Sequence, residues 1–157
     1  MKRLIVVIFL LVLAATAFAL YFYRHNQPKD IAILIPTSNI VEIQPLDGDF
    51  AQVQDQVEIK VGTTVRTGPE GEATIVFADN SVLTMDVNTE IRLDQIPSGE
   101  SQDTDIFQLV GNTWHRVQSV KQGGSYEVET PSLVAAVRGT SFGVETGEGE
   151  DANNQVT

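Results

Sequence analysis

Between Val57 and Leu93 every apolar run is short, alternates with polar residues, and ends at a corner. Val57, Ile59 and Val61 alternate with Glu58 and Lys60, and Gly62 ends the run. Val65 lies in the next short step, closed by the turn cluster Gly68-Pro69-Glu70-Gly71. Ala73, Ile75 and Phe77 alternate with Thr74 and Val76; Leu83 and Met85 with Thr84 and Asp86; Ile91 and Leu93 with Arg92 and Asp94. Ala78-Asp79-Asn80-Ser81 and Val87-Asn88-Thr89 turn the chain between them. A period of two sends one face of each segment into a core and the other into water. Corners every eight to ten residues or so leave no room for a sustained helical period. The pattern predicts an all-β fold, either a coil of short rungs or a small sandwich. In a coil, each rung buries one or two side chains and stacks on the next.

The pattern thins on both sides of this stretch. Ile31 to Ile35 is a brief apolar run stopped by Pro36, and Ile40 to Ile43 can form another short strand before the turn Leu46-Asp47-Gly48-Asp49. Pro97 to Asp105 is polar apart from Pro97 and reads as a flexible excursion. Phe107, Leu109, the pair Gly111-Asn112, Trp114, Val117 and Val120 resume the apolar spacing. Lys121 to Ser125 holds a Gly-Gly turn, and Tyr126, Val128 and Thr130 lead to Pro131. Val134, Ala136, Val137 and Phe142 close the module, and the acidic tail from Gly147 to Thr157 reads as disordered. The expected division is a start at 1–3, an apolar segment at 4–23, a linker with leading strands at 24–56, a β domain at 57–145 and a tail at 146–157.

Leu4 to Tyr23 is a run of twenty uncharged residues between Lys2-Arg3 and Arg24-His25. As a helix it spans about 30 Å, the thickness of a hydrocarbon core. Tyr21, Phe22 and Tyr23 stand where an aromatic belt would meet the headgroups, and the small charge bias favours a cytoplasmic N-terminus. The expectation is one transmembrane helix with the C-terminal part outside the cell membrane. The competing reading is a signal peptide cleaved after Ala19, since Ala17-Phe18-Ala19 fits an Ala-x-Ala site. Both export everything after Asp30. With only Met1 to Arg3 ahead of the run, no cytoplasmic domain is expected.

After Asp30 there are six Lys or Arg against twenty Asp or Glu, within a chain of formal net charge -11. Such a surface repels phosphate backbones and anionic headgroups, so nucleic acid is excluded as a partner. Cysteine is absent, which removes disulfides, thiol catalysis and a lipoprotein anchor. His25 and His115 are far apart and lack a carboxylate at ligand spacing, so no metal site is expected; His115 beside Arg116 reads as a solvated strand face. Ser81, Ser119, Ser125, Ser132 and Ser141 stand in no nucleophile-elbow context. Gly147 to Asp151 is one acidic stretch without the alternating apolar residue of a calcium repeat. Trp114 reads as a large core residue beside the polar excursion, with an exposed partner anchor as the competing role. Arg138-Gly139-Thr140 is the sharpest local motif: a guanidinium on backbone carbonyls of a neighbouring segment with a glycine corner, or a contact to an anion or partner. No catalytic residue and no cofactor are assigned.

Three pieces, VGTTVRTGPEGEATIVFADNSVLTMDVNTEIRL, FQLVGNTWHRV and YEVETPSLVAAVRGTSFGVE, resemble in order and spacing the FecR-type domain family of bacterial extracytoplasmic proteins. The last is the most specific, through its Thr-Pro, Val-Arg-Gly-Thr and Phe-x-Val steps. The resemblance implies a solenoid-like coil of short β rungs. It marks Gly111, Trp114, Thr130, Pro131, Val137, Arg138, Gly139, Thr140 and Phe142 as motif positions with structural roles. The best-known members resemble transmembrane regulators that relay a signal from an outer-membrane receptor to a cytoplasmic sigma factor. Three departures stand out: no segment precedes the apolar run to contact a sigma factor, Asn80 replaces the usual turn glycine, and the chain ends where relatives continue with further strands, as a fragment would. The expected function is a non-catalytic, membrane-anchored binding module whose partner is an envelope protein or wall polymer. The alternative is a component of transmembrane signalling that acts with a separate cytoplasmic regulator.

Overall fold

The alternating segments become strands. The computed structural model describes residues 12–21, 31–38, 40–98, 101–118, 124–137, 141–147 and 155–156. In order the strands are β1 (Ile31–Pro36), β2 (Val41–Gln44), β3 (Ala51–Gln52), β4 (Val57–Lys60), β5 (Thr64–Thr67), β6 (Ala73–Val76), β7 (Val82–Met85), β8 (Glu90–Gln95), β9 (Thr104–Arg116), β10 (Tyr126–Glu129), β11 (Val134–Val137), β12 (Ser141–Thr146) and β13 (Gln155–Val156). The path across the sheet is β3-β2-β5-β8-β9-β7-β6-β1-β4. The long β9 belongs to both halves: its beginning pairs with β8 and β10, its end with β7 and β12.

Gly111 is the residue that lets β9 serve two halves. Its φ is +94°, and a Cβ there would stand 2.3 Å from Thr89 Oγ1 and 2.5 Å from Thr89 Cα. Only glycine fits such a backbone at such a distance. The buried Thr89 hydroxyl accepts the Asn112 N–H at 3.0 Å, tying the corner before β8 to the bend in β9. A strand that bends at a glycine can carry a sheet around a corner. The buried residues of both halves, among them Leu34, Val65, Ile75, Leu83, Met85, Ile91, Leu93 and Ile106, form one hydrophobic cluster. Each such side chain contributes about 1.5–3 kcal/mol by leaving water.

The all-β class holds. The solenoid-like coil does not describe these pairings. Stacked rungs would pair parallel, whereas among the described residues only β9 and β10 do so and every other pairing is antiparallel. Hairpins account for part of this: β2–β3, β6–β7, β8–β9, β10–β11 and β12–β13 are neighbours both in the chain and in the sheet. The turn between β6 and β7 shows how. Asn80 sits at φ 65°, its N–H bonds Phe77 O at 3.0 Å, and Asp79 holds the Ser81 N–H at 2.8 Å. The asparagine thus takes a left-handed place that glycine would otherwise fill.

The leading strands are built into the sheet. β1 lies between β4 and β6, with Ala32 and Leu34 buried. The polar excursion of 97–105 is held at its described residues, in place of the flexibility expected. Ile96 and Pro97 are buried, and β9 already starts at Thr104. Asp103 Oδ1 accepts the Ser125 N–H at 2.9 Å and its hydroxyl at 3.0 Å. The Ser101 hydroxyl, followed by that of Ser125, holds the Asp103 carboxyl below the usual carboxylate range. In the tail, Gln155 and Val156 are ordered as β13 against β12, which replaces disorder by pairing at that point. Residues 12–21 are helical and exposed. The rest of the expected 4–23 span lies outside the described residues, among which no helix is long and apolar enough to cross a membrane.

Candidate functional site

The end of β9 carries polar side chains inward. Thr113 and His115 face the core, where Ile106 and Gln108 face it from the beginning of the strand. The parity of the buried positions changes across Gly111, because the bend consumes one residue of the alternation. His115 is fully buried, so the solvated face expected for it is corrected. The reason is a hydrogen-bond chain that satisfies the buried side-chain atoms of its four members. Gln108 Nε2 donates to Gly111 O at 2.6 Å and Val144 O at 3.1 Å, which leaves Oε1 as its acceptor. Thr113 Oγ1 donates to that Oε1 at 2.5 Å. Having spent its one proton, Thr113 accepts from His115 Nε2–H at 2.7 Å. His115 Nδ1 then accepts the Tyr126 hydroxyl at 2.9 Å.

This chain fixes one tautomer of a neutral imidazole. Burial lowers the His115 pKa to about 3 and pushes the Tyr126 phenol upward. Phe142 stacks on the imidazole at 4.7 Å between ring centroids and an interplanar angle of 6°, and Phe77 meets Tyr126 edge to face at 6.4 Å. The cluster is a structural lock, sealed from solvent. A histidine so held exchanges no proton with a ligand near neutral pH.

The lock sets what faces out. With Thr113 and His115 inward, Trp114 lies on the outer face and is 52% exposed, so its expected place in the core is corrected. Its cross-strand neighbours are Thr84 of β7 and Gly143 of β12, both too small to cover an indole. Around it runs a groove of about 410 Å³ whose lining includes Glu72, Asp86, Asn112, Glu145 and Gln155. The lining has three carboxylates and no lysine or arginine. An open aromatic face rimmed by acceptors suits binding. Among the described residues no group of three or more His, Asp or Glu is placed to hold a metal ion.

The other motif positions separate. Gly111 shapes the bend and Phe142 packs on the lock, as above. Thr130 and Pro131 form the β10–β11 turn, where the buried Thr130 Oγ1 accepts the Leu133 N–H at 3.1 Å and the Thr130 N–H donates to Leu133 O at 2.8 Å. Val137 pairs with Tyr126 and is half-buried. Arg138, Gly139 and Thr140 lie outside the described residues. The inward roles of Gln108, Thr113 and Tyr126 were not legible as a site. The one signal for them was a glycine inside a strand pattern, which marks a bulge and hence a change of face.

A family model described as FecR protein matches residues 63–156. A solved structure from Parabacteroides distasonis ATCC 8503, described as a "putative anti-sigma factor", is similar over 59% of this chain at 16% identity and a TM-score of 0.49. This chain spans 42% of that one. The search of curated proteins matches none.

Proposed function

This chain belongs to the FecR protein family, and on that premise we propose that it is a non-catalytic binding module held outside the cell membrane by its N-terminal apolar segment, with the Trp114 groove as its docking site. The carrying observation is the outward indole. The single tryptophan of the chain stands in a groove between residues too small to shield it. Exposing a large aromatic ring forgoes burial worth about 2 kcal/mol, and the buried polar lock behind it commits β9 to that orientation. The favoured partner is another envelope protein, and a wall polymer is the competing ligand.

Family membership supports a signalling-related role, in which docking in this groove couples the module to a separate regulator. The two readings share the same site and differ in the partner. A photo-crosslinking amino acid placed at Thr84, on the floor of the groove, tests the site in intact cells; the same group at exposed Leu109 is the control. The expected result is a discrete adduct from position 84 and none from 109. Equal labelling at both positions, or none at 84, would overturn the docking role. Recovery of a membrane regulator in the adduct would select the signalling reading, and recovery of wall material alone would remove it.

A further inference from the structure

Two aromatic rings elsewhere on the sheet show what an exposed ring of this chain is covered with. Arg66 lies over Phe50 with its Cζ 3.7 Å from the ring centroid, while its Nε donates to Glu42 Oε2 at 2.7 Å. Arg92 lies over Phe107 at 5.1 Å, while its Nη2 donates to Asp94 Oδ2 at 2.8 Å. Both are a guanidinium held between a ring face and a carboxylate. Phe107 and Trp114 share β9, and Phe107 faces Arg92 across the strands where Trp114 faces Thr84 and Gly143. The Trp114 groove therefore has the ring and the carboxylates of Glu72, Asp86 and Glu145, with no cation over the ring among the described residues. Arg116 stands on the same strand and does not line the groove.

We infer that the groove binds a basic, arginine-containing segment of a partner protein, whose guanidinium stacks on Trp114 and pairs with Asp86 or Glu145. This rests on the docking role proposed above and names its ligand class. Charge complementarity selects the occupant. A second copy of a chain of net charge -11 would bring like charge to an acidic groove. An anionic polymer is repelled for the same reason, and a neutral glycan would leave three carboxylates without a counter-charge. Tryptophan offers the strongest ring face for a cation, and a planar guanidinium can stack and donate to a carboxylate at once.

The test uses the detergent-solubilised full chain and short capped peptides containing two arginines, with citrulline in their place as the neutral isostere. Because the chain has one tryptophan, its fluorescence reports on the groove alone. The expected result is a saturable change with the arginine peptide, weakened several-fold between about 50 and about 300 mM salt, and none with the citrulline peptide. By calorimetry, Trp114→Ala and the pair Asp86→Asn with Glu145→Gln should each lose about tenfold in affinity. All three positions are exposed, so these variants keep the fold, which circular dichroism checks. Equal binding of the citrulline peptide, or binding of a neutral β-linked N-acetylglucosamine oligomer in place of the arginine peptide, would overturn the inference while leaving the docking site standing. Absence of any response to the arginine peptide would overturn it too, and the crosslink from position 84 then decides the docking role by itself.

Discussion

β7 and the end of β9 lie side by side with opposite chemistry. Leu83 pairs with His115, Met85 with Thr113, and Thr84 with Trp114. On β7 the apolar residues point inward and the threonine outward. On β9 the polar residues point inward and the tryptophan outward. The pleat decides which positions share a face; it does not decide what they must be. A polar residue can take an inward place if each of its donors and acceptors finds a partner, as from Gln108 through Thr113 and His115 to Tyr126. The inward side chains of β7 are held by burial alone. β9 is held by burial plus a directional chain, and that specificity leaves its one tryptophan facing solvent.

The strongest way to break the contrast is to remove the bend that changes parity along β9. Gly111→Val drives a branched Cβ into Thr89 at a positive φ, and should destabilise the fold by about 4 kcal/mol or more, seen as a lower urea midpoint. Leu83→Ala on β7 empties a fully buried site and should cost about 2–5 kcal/mol in the same assay. If Gly111→Val proved the milder of the two, the bend would not be what fixes the two faces.

The two strands should also separate by pH. The folded-state pKa of His115, about 3, lies below the ordinary value of 6.5, so the unfolded chain takes up the proton first. Its contribution is complete above pH 6.5 and is lost as pH falls towards 3. Between about pH 7.5 and 5 the urea-derived stability should drop by about 2 kcal/mol. Leu83→Ala should keep that slope, and His115→Leu should flatten it while lowering stability at pH 7.5, because Thr113 and Tyr126 lose a partner. A slope that survives in His115→Leu would place the titrating group elsewhere. The smallest effect belongs to the outer face: Trp114→Ala should change stability by about 0.5 kcal/mol or less, the ordinary result for a surface substitution.

Much of this fold was legible in the chain. Ile75, Leu83, Met85, Ile91 and Leu93 alternate with polar residues and are buried, since hydrophobic periodicity is what holds their strands. Asn80 declared its turn through its tolerance of positive φ. Trp114 and His115 mislead for one reason: hydrophobicity suggests one phase for β9, and a satisfied hydrogen-bond chain fixes the other. Phe107 and Leu109 mislead in the same way, since the buried positions beside them are Ile106 and Gln108. The pairing of distant strands was hidden as well. Nothing local tells β9 to meet β7, β8, β10 and β12 at once. The groove inherits both difficulties, because Glu72, Asp86, Asn112, Glu145 and Gln155 come together only through that pairing.

The most direct test is the accessibility of Trp114 in the folded full chain. With one tryptophan, acrylamide quenching of its fluorescence reads that position and no other. An indole that is 52% exposed should emit at long wavelength and be quenched in the native state at a rate within about two- to threefold of the urea-unfolded chain. A blue-shifted emission protected from acrylamide would put Trp114 in the core, reverse the two faces of β9, and remove both the groove and the function built on it.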